Sequence, residues 1–178
     1  MLDNTALDLT AEERLEQSRE RFLTSHRAIA ACAREFNRLV EEVVERANAL
    51  RAELMIEEEA ELRLTPDRCI VQLGPVALTL GWLRGNLDSL ADGRLLVIAW
   101  EGTIARRRFS QLPERANAPR AAQTATALWE ETFVAAAENE ASWEWQQEGD
   151  RSRQFASPQL AARAVDQLRA AWRQRPTT

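Results

Sequence analysis

Apolar side chains recur seven residues apart at Leu15, Phe22, Ile29, Phe36, Val43 and Leu50, in a stretch with neither glycine nor proline until Pro66. Beyond Ile29 the stripe widens to take in Ala33, Leu39, Val40, Val44, Ala47 and Leu54. A broad apolar stripe marks a helix that lies on a sheet or on another helix. Thr10 and Glu13 form a capping box, in which each side chain satisfies the other residue's backbone N–H. The pattern therefore predicts a short leader over residues 1–9 and a long helix or helix pair over 10–55. A seven-residue repeat drifts by about 20° per repeat on a straight helix, so this seam calls for slight supercoiling or a curved packing surface. Ser18 and Ser25 stand where a coiled coil would want a second apolar column. Leu15 and Phe22 are then either the edge of the core or a thin contact to another chain. Thr24 or Ser25 could also cap a fresh helix and break the long one in two. From Ile56 to Leu64 apolar residues alternate with Glu57, Glu59, Glu61 and Arg63, which places the end of the helix near Glu53 to Glu57.

Residues 68–109 read as a β-meander. Cys69 to Leu73 is a strand, Gly74-Pro75 a turn, and Val76 to Leu83 a second strand with Val76, Leu78, Leu80 and Trp82 on one face. A loop from Gly85 to Gly93 leads to a third strand, Leu95 to Trp100. Glu101-Gly102 then turns the chain into a fourth, Thr103 to Phe109. Pro113 and Pro119 mark residues 110–120 as a linker. The alanines of Thr124 to Ala137 suit a helix, and Trp129 with Phe133 makes an i,i+4 pair. The same stretch as a strand would form a hairpin with Ser142 to Gln147 and complete a second meander over 124–156, which favours strand. Residues 157–175 are a helix: Ser157 caps it, Pro158 takes its first position, and Leu160, Ala161, Ala164, Val165, Leu168 and Trp172 form its stripe.

These elements define an α+β fold over the whole of 1–178, an antiparallel sheet of about six or seven strands. A long N-terminal helix and a shorter C-terminal helix pack on it. Both helices have one apolar face, and one sheet face can receive both. The other face is then solvated or meets a second subunit.

Composition narrows the partners. The net charge of −5 sets up long-range repulsion toward nucleic acid and anionic lipid. Every basic residue is arginine and tyrosine is absent. With abundant alanine, that is the coding bias of a GC-rich, bacterial genome. Cys32 and Cys69 are too few for a disulfide framework and read as small buried side chains in a reducing, cytoplasmic setting. The N-terminus has neither the basic nor the apolar region of a signal peptide, and no apolar run approaches membrane-spanning length.

Candidate chemistry is sparse. His26, the only histidine, lies on the polar flank of the long helix with no nucleophile or acid beside it. One histidine and two distant cysteines do not make a zinc site. Glu57, Glu58, Glu59 and Glu61 lack the spacing of a calcium loop and read as a solvated acidic face. Phosphate-binding glycine motifs are missing. The residues thus call for no cofactor and no metal. Glu101 and Glu144 are the carboxylates that could do acid–base work, although Glu144 between Trp143 and Trp145 reads first as plain strand alternation. Arg106, Arg107 and Arg108, with Trp100 and Phe109 nearby, could stack on and neutralise a nucleic-acid strand. Strand alternation would split that patch between two faces. Trp82, Trp100, Trp143 and Trp145 are expected in the core.

The leading expectation is a non-enzymatic protein-interaction or adaptor protein that forms a homodimer through Leu15, Phe22 and Ile29, or binds another protein there. Nucleic-acid binding through Arg106 to Arg108 is the alternative. An enzyme with carboxylate acid–base residues is the third.

Overall fold

A computed structural model of the chain describes residues 10–85, 89–104 and 125–175. The first helical stretch is a pair. Helix α1 spans Ala11–Leu23 and α2 spans His26–Glu53. Thr10 caps α1 as the sequence requires: its N–H donates to Glu13 Oε2 at 2.7 Å, and Glu13 N–H donates to Thr10 Oγ1 at 3.3 Å. Ser25 caps α2 by accepting from Ala28 N–H. The break between them is fixed by that cap, and Leu23 O accepts from Leu90 N–H at 3.0 Å, tying the corner to the loop before the fourth strand.

At its far end α2 closes in a Schellman motif. Ile56 N–H reaches Arg51 O and Met55 N–H reaches Ala52 O. Met55 takes the left-handed position (φ 53°) that usually falls to glycine. The chain then enters a seven-stranded antiparallel sheet in strict sequence order. Its strands are β1 Glu61–Thr65, β2 Arg68–Leu73, β3 Val76–Leu83, β4 Arg94–Glu101, β5 Thr126–Ala136, β6 Glu144–Gln147 and β7 Gln154–Phe155. Helix α3, Ser157–Arg173, follows β7 directly.

The fold is α+β, with the long helix pair at the N-terminal side and the shorter helix after the sheet. Of the stretch from Thr124 to Ala137, Thr126–Ala136 resolves as strand β5, which sits between β4 and β6, while Thr124 lies outside the described residues. The fourth meander strand needs correcting. Both edges of β4 are taken, one by β3 and the other by β5, whose Thr126 stands opposite Glu101. Thr103 and Ile104 are therefore irregular, and residues 105–109, like the linker 110–120, lie outside the described residues.

Strand alternation sorts the side chains. Val71, Leu78, Val97 and Phe133 point to the face that carries α2 and α3, and all are buried there with Phe36, Leu39, Val43, Leu160 and Leu168. Trp145 anchors the far side of this layer, with Trp82 and Trp143 edge-on to it at 5.8 and 5.5 Å between ring centroids. Gly93 makes room for this cluster, because a Cβ there would come within 2.4 Å of the Trp82 ring.

Two sequence expectations change here. Ser157 is not the cap of α3; Ala156 is, and Gln159 Oε1 accepts from the Ala156 N–H. The Ser157 hydroxyl is needed elsewhere. It accepts from the buried Trp145 Nε1 at 3.1 Å and donates to Glu35 Oε2 at 2.8 Å, joining α2, β6 and α3. An indole N–H left unpaired in the core is costly, and that need outweighs a cap. Trp100 is the second correction. It lies half-buried on the face away from the helices, where its Nε1 donates to Thr79 Oγ1 at 3.1 Å.

Candidate functional site

The sheet's second face is turned away from α2 and α3. Pairing in register places Ile70, Thr79 and Ile98 side by side across β2, β3 and β4, with Leu96 opposite Gly81 and Trp100 opposite Ala77. Among the described residues no helix crosses this face. Apolar side chains run along it from the exposed Leu83, through Leu96 and Ile98, to Trp100 and the exposed Leu128 beside the bulge that separates Ala99 from Trp100. At its β2 end a single amide holds the backbone. Gln72 Nε2 donates to the carbonyls of Gly74, Val76 and Gly102, while its Oε1 accepts from Ile104 N–H at 2.9 Å. Gln72 is buried by these contacts, and they pin the segment leaving β4 against the β2–β3 turn.

The covered face has a charged rim. Arg163 of α3 forms a bidentate pair with Glu131 of β5, and the guanidinium lies 5.7 Å from the ring centroids of both Trp129 and Phe155. The Glu131 carboxylate raises the Arg163 pKa further above its ordinary value. Two more arginines of α2, Arg27 and Arg34, clasp Glu140 in the β5–β6 connection and hold its carboxyl below the usual range. These are bonds between elements, with both charges already used.

A cavity of about 60 Å³ lies between α2 and the β3–β4 loop, lined by Ile29, Cys32, Phe36, Trp82, Arg84 and Leu90 among others. Small-molecule sites start at about 300 Å³, so this is a packing gap by size. The thiol that lines it is quiet. Burial pushes the Cys32 thiol up to about 12, against a smaller pull from Arg84, and Cys69 rises to about 12 by burial alone. A thiol of that kind is neither nucleophile nor ligand at neutral pH.

The residues singled out by sequence fall as follows. Leu15 is half-buried on α1, while Phe22 and Ile29 pack against the protein's own core. Arg106, Arg107 and Arg108 lie outside the described residues. Glu101 stands opposite Thr126 and Glu144 opposite Ala136. Ten strand residues separate those two β5 positions, which is about 30 Å along the strand. The two carboxylates therefore do not share a site. His26 is exposed at the start of α2. Among the described residues no group of three or more His, Cys, Asp or Glu side chains is placed to hold a metal ion, and no helix is long and apolar enough to cross a membrane. Sequence reasoning missed the apolar line on the second sheet face. Its signal was there in the alternation of Leu96, Ile98 and Trp100 with the core residues Leu95, Val97 and Ala99.

No protein-family model matches this chain, and no curated protein or solved structure matches it.

Proposed function

We propose that this protein is a non-enzymatic, cytoplasmic protein-interaction or adaptor protein that works as a homodimer. The observation that carries the reading is where the exposed apolar side chains fall. Met55, Leu62 and Leu64 lie along the entry to the sheet and its first strand, and Leu83 and Leu128 flank the apolar line of the second face. Leu62, Leu64, Leu83 and Leu128 all belong to strands of the sheet. Exposed apolar patches on a well-packed domain mark contacts with other proteins.

The sheet face supports the adaptor half of the reading. Main-chain groups there are satisfied by the strands, so a partner would gain by apolar burial around Trp100, the residue type that most often anchors such contacts. The test is affinity capture with the intact chain beside the Leu83→Ser, Leu128→Ser double variant, at equal folded concentration. The same captured proteins should be recovered with the intact chain and lost with the variant. An identical capture profile from both would overturn the assignment of this face.

A further inference from the structure

The homodimer can be placed more closely. We infer that two copies join through the outer edge of β1, which no strand among the described residues occupies, so that the sheet extends across a twofold axis with Leu62 of one copy opposite Leu62 of the other. The inference rests on the homodimer reading above and uses a different surface from the sheet face.

Among the described residues the sheet ends at β1 on one side and β7 on the other. β7 is two residues long, which blunts it as an edge. β1 has five residues and carries Leu62 and Leu64 at 41% and 57% exposure. Its backbone groups can be sorted into those that face β2 and those that face outward. Trp82 N–H donates to Asp67 O at 2.7 Å, which makes Arg68 and Gly81 a non-hydrogen-bonded pair of the β2–β3 ladder. Hydrogen bonding alternates along a strand, so Arg68, Ile70 and Gln72 turn their groups toward β1. Their partners there are Thr65, Arg63 and Glu61. Leu62 and Leu64 are thereby left with N–H and C=O directed out of the sheet, and among the described residues no strand pairs with them.

Side-chain chemistry then selects the register. A twofold pairing of this edge brings one residue opposite itself. Centring on Glu61 or on Arg63 sets like charges face to face, which is destabilising. Centring on Leu64 places Leu62 opposite Pro66, which has no N–H to give. Centring on Leu62 leaves no such conflict. Leu62 meets Leu62 of the second copy, Leu64 meets Ala60, and Glu61 meets Arg63 twice over. In that register the outward groups of Leu62 are the ones that exchange bonds, and the apolar pairs lie on the helix side of the joined sheet, next to Val71 and Cys69.

The experiment is sedimentation equilibrium on the full chain, with circular dichroism and a thermal melt on each variant. The intact chain should be a dimer. Leu62→Pro removes an outward N–H that β2 does not use, together with the Leu62 side chain, and should give a folded monomer. Arg63→Glu should weaken the dimer about tenfold or more, and the exchange of both charges, Glu61→Arg with Arg63→Glu, should restore it. If Leu62→Pro unfolds the chain, the charge exchange decides alone. A monomeric intact chain would overturn the inference and the homodimer reading together. A dimer that ignores both Leu62→Pro and Arg63→Glu but is lost in Leu83→Ser, Leu128→Ser would overturn the edge and leave the homodimer reading standing. Weakening by Arg63→Glu without rescue by the exchange would also overturn the register.

Discussion

The two faces of the sheet come from the same strands and have opposite fates. Phe133 and Val134 are neighbours in β5. Phe133 is buried among the helices, whereas Val134 is half-buried on the other side, opposite Gln146. On the helix side, side chains interlock, and the buried Trp145 indole is met by Ser157. The other side has an apolar centre without a helix over it among the described residues. Stability and recognition are thus divided between faces, and substitutions should respect the division.

The largest effect is expected from Phe133→Ala, about 3–5 kcal/mol in urea unfolding, because a filled ring site becomes a cavity. Val134→Ser, one residue along, should cost under about 1 kcal/mol. Equal losses would erase the distinction between the faces. The second effect probes how dry the covered face is. Cys32 and Cys69 both lie on it, and both are held up to about 12 from an ordinary 9.0. A raised pKa stabilises the fold fully below the unfolded value and is lost as the pH climbs from 9.0 toward about 12. By pH 10 the two thiols together should cost about 2–3 kcal/mol, and the Cys32→Ala, Cys69→Ala double variant should lack that alkaline slope. Native protein at neutral pH should resist thiol reagents. Rapid labelling would show that water reaches the layer. The smallest effect concerns its rim. Arg163→Met leaves the half-buried Glu131 carboxylate without its partner and should cost about 1–2 kcal/mol, discounted for the exposure of the arginine. Adding Glu131→Gln should recover part of the loss. No recovery would mean that the rings of Trp129 and Phe155, rather than the charge pair, hold Arg163.

Much of the covered face was legible in the sequence, because it repeats with the helix and strand periods. The stripe from Phe36 to Leu50, the alternation of Val76 to Trp82 and the Thr10–Glu13 cap are local signals, and the structure follows them. What failed involved a choice between distant competitors. The expected turn at Glu101-Gly102 does not form: Glu101 is the last residue of β4, Gly102 follows at φ 107°, and the strand that takes the free edge of β4 arrives more than twenty residues later. Nothing in Thr103 to Phe109 could announce that β5 would win. Ser157 has the preferred chemistry of a cap, yet a buried indole twelve residues upstream claims its hydroxyl. The apolar line of the second face was visible as alternation. Whether a helix would cover it was not, since that depends on which side α2 and α3 take. The edge of β1 was hidden for a related reason: Leu62 and Leu64 look like core in an alternating stretch until the sheet is seen to end there.

The strict order of the strands has a kinetic consequence. Each strand pairs with the one just made, so the sheet can be zipped from β1 onward by closing short loops, apart from the longer return to β5. The contact between α2 and α3 is different, for it joins segments more than a hundred residues apart. During synthesis the apolar stripe of α2 is without α3 until the chain has passed residue 173. Docking of these two helices is then the late, slow event, and the nascent sheet is most exposed to aggregation just before it.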